Sequence, residues 1–321
     1  MPDYSTLVDP QFKPFLEGLM HVPGARSFPS VTALREATNA MSGMFPPSGT
    51  KLAKVENRTI PGPDGDVPVR IYTPHGTGPF PVVLYYHGGG WVICNLDTHD
   101  GLAREFCAAS GAIVMSVDYR LAPEHKFPAG MNDCWAALKW VAANAGEING
   151  DADRLAAMGD SAGGVLAVVM SLRAHDEGGP KLSAVINYYG SCNYPSAYTP
   201  SANEHANAPV VTRDDIDWFY EQYLTDPATE QNNPYVSPIR AASLKGVAPT
   251  FIATAELDPS RDDAEAYGVK LREAGGDVKI KRYKGMLHGF LSWIGPIDAA
   301  KTAIDDGAAW LARHWDGHKT K

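Results

Sequence analysis

The sequence predicts an α/β fold in which a mostly parallel sheet of about eight strands is flanked by helices. The first observation is that apolar runs of strand length alternate with longer helical stretches, as parallel strands with crossover helices do. The second is size, because 321 residues, 44% of them hydrophobic, suffice for one large buried core. The third is a strand, a sharp turn and a helix in direct succession over residues 155–174.

The N-terminal region, residues 1–45, carries scattered prolines and apolar positions, and we expect one or two short helices there. The apolar residues that share one helical face are Phe12, Phe15, Leu16 and Leu19. Pro46 and Pro47 then interrupt the chain, and strand-like segments follow at 55–60 and 67–72. Because the residues between them have turn composition, these segments predict an antiparallel edge of the sheet.

Six further strand candidates alternate with helical stretches along the rest of the chain. The strand candidates are 81–86, 112–118, 155–158, 184–189, 250–255 and 278–283. The helical stretches are 101–109, 131–143, 162–174, 262–274 and 297–314. This order predicts a mostly parallel sheet with helices on both faces.

The alternation breaks once, between residues 189 and 248. Within this insert, Thr212 is followed three residues later by Asp215, a pattern typical of a helix start. Apolar and aromatic residues then recur at helical spacing: Ile216, Phe219, Tyr220, Tyr223 and Leu224. Such a stripe is typical of a helix that packs on the main domain, and it also fits a helix that covers a pocket.

The sharp turn reads Gly159-Asp160-Ser161-Ala162-Gly163, a G-x-S-x-G pentapeptide. In a nucleophile elbow this pattern exposes the serine at the end of a strand, where the next backbone N–H points at any oxyanion formed there. The same pattern occurs by chance where small residues permit close helix packing. Ser161 is therefore a candidate nucleophile whose assignment depends on the other motifs.

A glycine run, His87-Gly88-Gly89-Gly90-Trp91, directly follows the strand candidate 81–86. In enzymes with such an elbow, an upstream H-G-G-G stretch supplies a second oxyanion donor. A phosphate-binding loop is the competing interpretation. It fails because no Gly-Lys-Ser/Thr follows, and Ile93 stands where the third glycine of G-x-G-x-x-G belongs.

The candidate partners of Ser161 lie later in the chain, where Asp258 and His288 each follow a strand candidate. The order Ser, Asp, His is the one found with this type of elbow. The carboxyl ends of parallel strands are also where such a sheet places its active site. Asp160 and Glu256 are rival carboxylates for the role of the acid.

These motifs resemble those of the hormone-sensitive-lipase-like family of α/β-hydrolase esterases. The matching segments are His87-Gly88-Gly89-Gly90-Trp91, Asp118-Tyr119-Arg120-Leu121-Ala122-Pro123-Glu124-His125, Gly159-Asp160-Ser161-Ala162-Gly163-Gly164, Asp258-Pro259 and His288-Gly289-Phe290. The acid motif of the family often reads D-P-L-x-D-E, whereas Ser260-Arg261-Asp262-Asp263 follows here. The resemblance implies the α/β-hydrolase fold and hydrolysis of small or short-acyl carboxylic esters.

This interpretation assigns three roles. The predicted catalytic triad is Ser161 as nucleophile, His288 as base and Asp258 as the acid that orients the histidine. The predicted oxyanion-hole donors are the backbone amides of Gly88, Gly89 and Ala162. The candidates for the substrate pocket are Trp91, Phe219 and Tyr220, which equally fit a core position.

The resemblance also implies a helical cap made of two separate segments. We expect residues 1–45 to form the N-terminal part of the cap and 191–245 to form its insert. The catalytic domain is then expected in two parts, 46–190 and 246–321.

Composition excludes several classes of partner. A net charge of −9 and a pI near 5.5 argue against nucleic acids and anionic membrane surfaces. No metal-ligand spacing is visible, and we expect neither a metal nor another cofactor. The four cysteines, Cys94, Cys107, Cys134 and Cys192, show no C-x-x-C pattern and none lies in an elbow. Without a signal peptide or an apolar membrane span, the expected location is the cytoplasm.

The leading hypothesis is therefore a serine carboxylesterase acting on a small-molecule ester. An amidase or lactonase could use the same triad, and a non-catalytic receptor could use the same cleft. A complete set of serine, acid and histidine disfavours the receptor, which has no need of the histidine. The sequence leaves the oligomeric state open, a homodimer included.

Overall fold

An eight-stranded sheet forms the centre of the computed structural model, which describes residues 2–43, 48–195 and 198–316. The strands are β1 (Lys54–Gly62), β2 (Gly65–Thr73), β3 (Phe80–Tyr86), β4 (Ile113–Val117), β5 (Gly150–Asp160), β6 (Ala184–Tyr188), β7 (Thr250–Leu257) and β8 (Val278–Leu287). Their spatial order is β1-β2-β4-β3-β5-β6-β7-β8. The pairs β1–β2 and β2–β4 are antiparallel and all others are parallel. The predicted mostly parallel sheet with an antiparallel edge is confirmed.

Helices flank this sheet and precede it. They are α1 (Tyr4–Leu7), α2 (Lys13–Met20), α3 (Val31–Ser42), α4 (Asp100–Ser110), α5 (Ala129–Asn144), α6 (Ala162–Glu177), α7 (Pro200–Glu204), α8 (Arg213–Tyr223), α9 (Pro227–Glu230), α10 (Arg261–Glu273) and α11 (Asp298–Asp316). All five helices predicted within the alternating part of the chain are present, with bounds that differ by at most three residues.

Strand β5 differs most from its prediction, since the apolar pattern covers only residues 155–158. Its first residues pair with the start of β3, and a shift in register follows between Pro81 and Val82. These first residues include Asp151, Asp153 and Arg154, so this part of the strand contains no apolar run.

The central strand β3 shows how the sheet separates two cores. Its side chains Val82, Leu84 and Tyr86 belong to the hydrophobic cluster that contains residues of α5 and α6. Val83 and Tyr85 point to the opposite face and join the cluster that contains residues of α4 and α11. The period of two along a strand therefore fills both cores, and each large side chain buried in them contributes about 1.5–3 kcal/mol.

The N-terminal region contains three short helices, α1 to α3, rather than one or two. Phe12 is fully buried, and its ring meets Trp293 edge-on at 5.6 Å, while Phe15 lies 4.9 Å from the same indole. The shared apolar face therefore packs on the segment that follows β8. The predicted break at Pro46 and Pro47 and the boundary between residues 45 and 46 lie outside the described residues.

Helix α8 of the insert begins with the predicted capping box between Thr212 and Asp215. Tyr220 and Tyr223 of its aromatic stripe are buried, whereas Phe219 is partly exposed. The Asp215 carboxylate also accepts a hydrogen bond of 2.6 Å from the Ala25 amide, which joins the N-terminal region to the insert. Within the described ranges, no helix has the length and apolar character needed to cross a bilayer.

Candidate active site

The carboxyl ends of β5, β7 and β8 bring together three side chains that are distant in sequence. His288 Nδ1 lies 2.7 Å from Asp258 Oδ2, and His288 Nε2 lies 2.8 Å from Ser161 Oγ. The carboxylate can only accept, so the imidazole donates from Nδ1 and its Nε2 is left to accept the serine hydroxyl proton. The three predicted triad residues therefore form one continuous hydrogen-bonded series.

The turn at Ser161 requires an unusual backbone. Ser161 has φ 53° and ψ −124°, between the end of β5 and the first residue of α6. Two glycines permit this turn. A Cβ on Gly163 would lie 1.9 Å from the Tyr86 carbonyl oxygen, and a Cβ on Gly159 would lie 2.1 Å from the Gly163 carbonyl oxygen. Only glycine fits where strand and helix backbones come this close, so the strained, half-buried serine is held at the strand end.

Burial and charge set the state of the histidine. Asp258 is fully buried and His288 is 6% exposed. Burial lowers the pKa of His288, but the charge of Asp258, its hydrogen bond and the charge of Asp160 outweigh this, so the pKa is raised overall. Asp258 Oδ1 also accepts from the Ser260 amide at 2.8 Å, which fixes the carboxylate. The site therefore stabilises an imidazolium, the form created when the serine loses its proton.

The rival carboxylates have other partners. Glu256 Oε2 accepts from the Gly285 amide at 2.7 Å. Asp160 accepts from Tyr85 and from a backbone amide and lies near His99. Among the described residues, Asp258 is the carboxylate that hydrogen-bonds His288.

The glycine run departs from its prediction at Gly88. The Gly88 amide donates to Asp160 Oδ1 at 3.1 Å, so the prediction that it faces an oxyanion is wrong. Gly89 and Gly90 follow with φ of 106° and 58°, a backbone conformation that favours glycine. Within the described part of the chain, the amides of Gly89, Gly90 and Ala162 have no protein acceptor. Gly90, whose amide has no acceptor among the described residues, was not among the predicted donors, because the sequence does not reveal that Asp160 already binds the first glycine.

The three pocket candidates surround the glycine run in different ways. Phe219 packs directly over Gly90, since a Cβ on that glycine would lie 2.2 Å from its ring. Trp91 is 6% exposed and stacks on Tyr223 at 4.4 Å. Tyr220 is buried, 5.0 Å from the Trp91 ring, and its hydroxyl donates to the Asn193 carbonyl oxygen. Phe219 is therefore the pocket candidate that packs on a glycine of the run, while Tyr220 contacts its last residue, Trp91.

Arg35 of α3 is a contact that the sequence did not indicate. Its Nε donates to the Val92 carbonyl oxygen at 2.7 Å, just beyond the glycine run. Its Nη2 donates to the Ala122 carbonyl oxygen at 2.8 Å, and the guanidinium pairs with both oxygens of Glu124. Glu124 is therefore tied to α3, and an arginine of the N-terminal region binds the backbone just beyond the glycine run.

Neither His87 nor Cys94 is an alternative reactive group. Burial, with the nearby His99, lowers the pKa of His87 to about 4, and its ring stacks on Tyr119 at 4.4 Å. Burial, with the charge of Asp160, raises the pKa of the Cys94 thiol to about 12. A thiol with so high a pKa is a poor nucleophile near neutral pH.

The chain is similar to known hydrolases and esterases in both sequence and structure. Residues 83–292 match a family described by the alpha/beta hydrolase fold. The chain is 43% identical over 275 residues to carboxylesterase NlhH of Mycobacterium tuberculosis, covering 84% of this chain and 85% of that protein. It is 35% identical over 229 residues to an arylesterase of Saccharolobus solfataricus, covering 71% and 74%. A hyperthermophilic esterase from Pyrobaculum calidifontis superposes with a TM-score of 0.90 at 36% identity, covering 95% of this chain and 98% of that one.

Proposed function

We infer that this chain, which belongs to the hormone-sensitive-lipase-like family of α/β-hydrolase esterases, is a serine carboxylesterase that hydrolyses short-acyl esters. The single observation that carries the mechanism is the hydrogen-bonded series from Asp258 through His288 to Ser161, with distances of 2.7 and 2.8 Å. A serine hydroxyl is a weak nucleophile until a base at this distance takes its proton.

Acylation begins when Ser161 Oγ attacks the carbonyl carbon of the ester. Its proton passes to His288 Nε2, and the imidazolium formed is stabilised by Asp258 at Nδ1. The electron pair of the carbonyl moves to its oxygen, which we place against the amides of Gly89, Gly90 and Ala162. Removing one such donor from an enzyme costs about 2.7–4 kcal/mol in the transition state.

Collapse of this intermediate breaks the bond to the alcohol. His288 Nε2 returns its proton to the departing alkoxide oxygen, so the alcohol leaves neutral and the acyl group remains on Ser161. Water then attacks the acyl carbon while His288 takes one of its protons. The second tetrahedral intermediate releases the carboxylic acid as Ser161 recovers its proton, and the triad returns to its initial state.

We propose that the cap segments, residues 1–45 and 191–245, limit the length of the acyl chain. Phe219 lies over Gly90, so a bulky ring already stands beside the reacting centre. Each methylene that fits a pocket gains about 0.8 kcal/mol, whereas overfilling a packed site costs free energy. Trp91, Phe219 and Tyr220 are the proposed determinants. The specificity constant should therefore rise to roughly butyryl or hexanoyl and then fall, because each added methylene helps only until the pocket is full.

A hydrolysis panel tests this function. Purified protein is assayed on nitrophenyl esters from acetate to palmitate, together with a nitroanilide and a lactone. We expect ester hydrolysis with a maximum at short acyl length. A preference for the anilide or lactone would favour the amidase or lactonase. Palmitate hydrolysis equal to that of butyrate would contradict the proposed limit on acyl length.

We also propose that the enzyme is cytoplasmic and that its substrate is a small ester. Cys94, Cys107, Cys134 and Cys192 are all free thiols, which fits a reducing compartment. The net charge of −9 fits a neutral or small substrate better than a nucleic acid. Size-exclusion chromatography with light scattering would decide between a monomer and a homodimer.

A further inference from the structure

The side chain of Asp160 lies behind the nucleophile, between the elbow and the glycine run. It is 5% exposed. Its Oδ1 accepts from the Tyr85 hydroxyl at 2.7 Å and from the Gly88 amide at 3.1 Å. Its Oδ2 lies 3.4 Å from His99 Nε2. The fold therefore holds this carboxylate in a fixed position. In the hydrolysis described above, however, Asp160 takes part in no chemical step.

The charge of this carboxylate is retained despite burial. Burial raises the pKa of Asp160, but the attraction and hydrogen bond of His99 and the hydrogen bond of Tyr85 lower it overall. A buried charge is stable only where donors replace the water it has lost. Tyr85 bonds one carboxylate oxygen of Asp160 and His99 lies beside the other, and the hydrogen bond from Gly88 connects this network to the glycine run.

The contact at Gly88 is close enough to constrain the backbone. A Cβ at this position would lie 2.5 Å from Asp160 Oδ2 and 3.2 Å from Ser161 Cβ. Three successive glycines have wide conformational freedom, so a run of them needs an external restraint to hold its amides in one direction. The hydrogen bond from the Gly88 amide is such a restraint, directly before the amides of Gly89 and Gly90 that we place against the reacting oxygen.

We propose that Asp160 is a positioning residue of the oxyanion hole: its carboxylate, held by Tyr85 and His99, fixes Gly88 and thereby aims the amides of Gly89 and Gly90. The inference rests on the proposed esterase function and adds a group that acts through the loop without touching the substrate. Asp160 has a second effect, because its charge also acts on His288.

Two substitutions separate these effects. Asp160→Asn keeps an oxygen that can accept from Gly88 but removes the charge, and Asp160→Ala removes both. We expect kcat to fall about 10–100-fold in Asp160→Ala with KM little changed, somewhat less than the roughly 10²–10³-fold loss when an oxyanion donor is deleted. Asp160→Asn should lose less than tenfold, since the loop keeps its acceptor. Circular dichroism and thermal melts establish that each variant is folded.

A transition-state analogue tests the direction of the amides separately from substrate binding. An aryl trifluoromethyl ketone adds to the serine and places an oxyanion in the hole. Its inhibition constant should rise in Asp160→Ala by the same factor as kcat/KM falls. The trifluoromethyl alcohol that corresponds to the ketone is the control. It forms no oxyanion, so its binding should not change. A variant that is merely less stable would not show this parallel.

The pH profile gives a readout that a structural role alone would not move. The charged or titratable groups facing His288 are Asp258 and Asp160, with the Tyr189 ring 5.0 Å away. Both carboxylates favour the imidazolium, so loss of the Asp160 charge should lower the pKa of His288. The acid limb of kcat/KM should therefore shift to lower pH in Asp160→Asn.

A matched pair of tyrosines controls for loss of a buried hydroxyl. Tyr85→Phe removes one donor to Asp160. Tyr188→Phe removes a buried hydroxyl that donates to the Ala303 carbonyl oxygen, away from the glycine run. Both should lower stability to a similar extent, since each loses one buried hydrogen bond. Only Tyr85→Phe should weaken inhibition by the trifluoromethyl ketone, about two- to tenfold, because it loosens without removing an oxyanion restraint.

The outcomes distinguish this inference from the esterase proposal. If the wild-type protein hydrolyses esters but folded Asp160→Ala retains full kcat and ketone affinity, the positioning role is wrong and the esterase stands. If Asp160→Ala does not fold, the other variants decide. The inference is overturned if the acid limb of Asp160→Asn is unchanged and the ketone inhibits Tyr85→Phe and Tyr188→Phe equally. Absence of ester hydrolysis in the wild-type protein would refute the esterase proposal itself.

Discussion

The strand-end region and the cap both contact the glycine run, but they do so with different chemistry. On the strand side, Asp160 and Tyr85 are almost completely buried, and the Asp160 carboxylate accepts from both the Tyr85 hydroxyl and the Gly88 amide. On the cap side, Phe219 packs over Gly90 and Arg35 binds the Val92 carbonyl oxygen. The two cap segments are also joined to each other by ion pairs with exposed members. Arg26 and its partner Glu221 have side chains 45% and 52% exposed.

We expect the buried network at the strand ends to be rigid and the cap, with its exposed ion pairs, to adjust more easily. Exposed ion pairs contribute about 0–1 kcal/mol each and weaken as salt screens them. Removing one member of a buried charged network costs more, about 3–5 kcal/mol where the remaining charge is left unpaired. In this carboxylesterase we therefore expect the chemistry to depend on the strand ends, while the cap controls which substrates enter. Substitutions on the two sides should have effects of very different size.

The largest effect is expected for Ser161→Ala. The variant should lose about 10⁵–10⁶-fold in kcat, because the remaining groups act only together with the nucleophile. Its thermal melt should stay close to that of the wild-type protein, since the substitution removes a single hydroxyl from a half-buried position. Labelling with a fluorophosphonate followed by peptide mass analysis checks the assignment, and a label on another serine would contradict it.

Asp258→Asn should come next, with a loss of about 10⁴-fold in kcat. The amide donates where the carboxylate accepted, so the imidazole is left in the wrong tautomer to receive the serine proton. Glu256→Gln is the matched control, because Glu256 is a neighbouring acid that bonds the Gly285 amide instead. If the control lost more activity than Asp258→Asn, the acid would have been misassigned.

The pH dependence of the wild-type enzyme should show one acid limb. The reaction needs neutral His288, so activity is lost as the pH falls through the pKa of that histidine. Because the net effect of its surroundings raises this pKa, the midpoint should lie above the ordinary value of about 6.5. Measuring kcat/KM from pH 5 to 9, with the released alcohol quantified by chromatography, checks this. A midpoint below 6 would mean that burial outweighs the carboxylates.

Smaller effects are expected from the cap arginines. Arg35→Gln removes the fork that binds the Val92 and Ala122 carbonyl oxygens, and kcat/KM should fall about tenfold or less because one bonded charge near the site is lost. Arg26→Gln removes only ion pairs to Glu221 and Asp214, and it should change kcat/KM by less than twofold because such pairs are exposed. Equal losses in the two variants would mean that the cap acts as one unit.

Sequence alone determined the fold because its signal is local. Strands such as β3 and β7 are continuous apolar runs, and helices begin where the runs end, so the alternation is legible without tertiary information. It failed for the first half of β5, where mostly polar residues precede the apolar run and the strand begins by pairing with β3. It also left the N-terminal region uncertain, since three short helices there depend on packing against distant segments such as Trp293.

Within the site, the candidates Ser161, Asp258 and His288 could be named from motifs and chain order, because each follows a strand whose end lies at one edge of the sheet. Which glycine amides are free was decided only in three dimensions. Asp160 stands next to Ser161 in sequence, but its bond to Gly88 spans 72 residues and arises because β3 and β5 are neighbours in the sheet. A hydrogen bond of this kind leaves no periodic pattern in either segment, so only the folded chain reveals it.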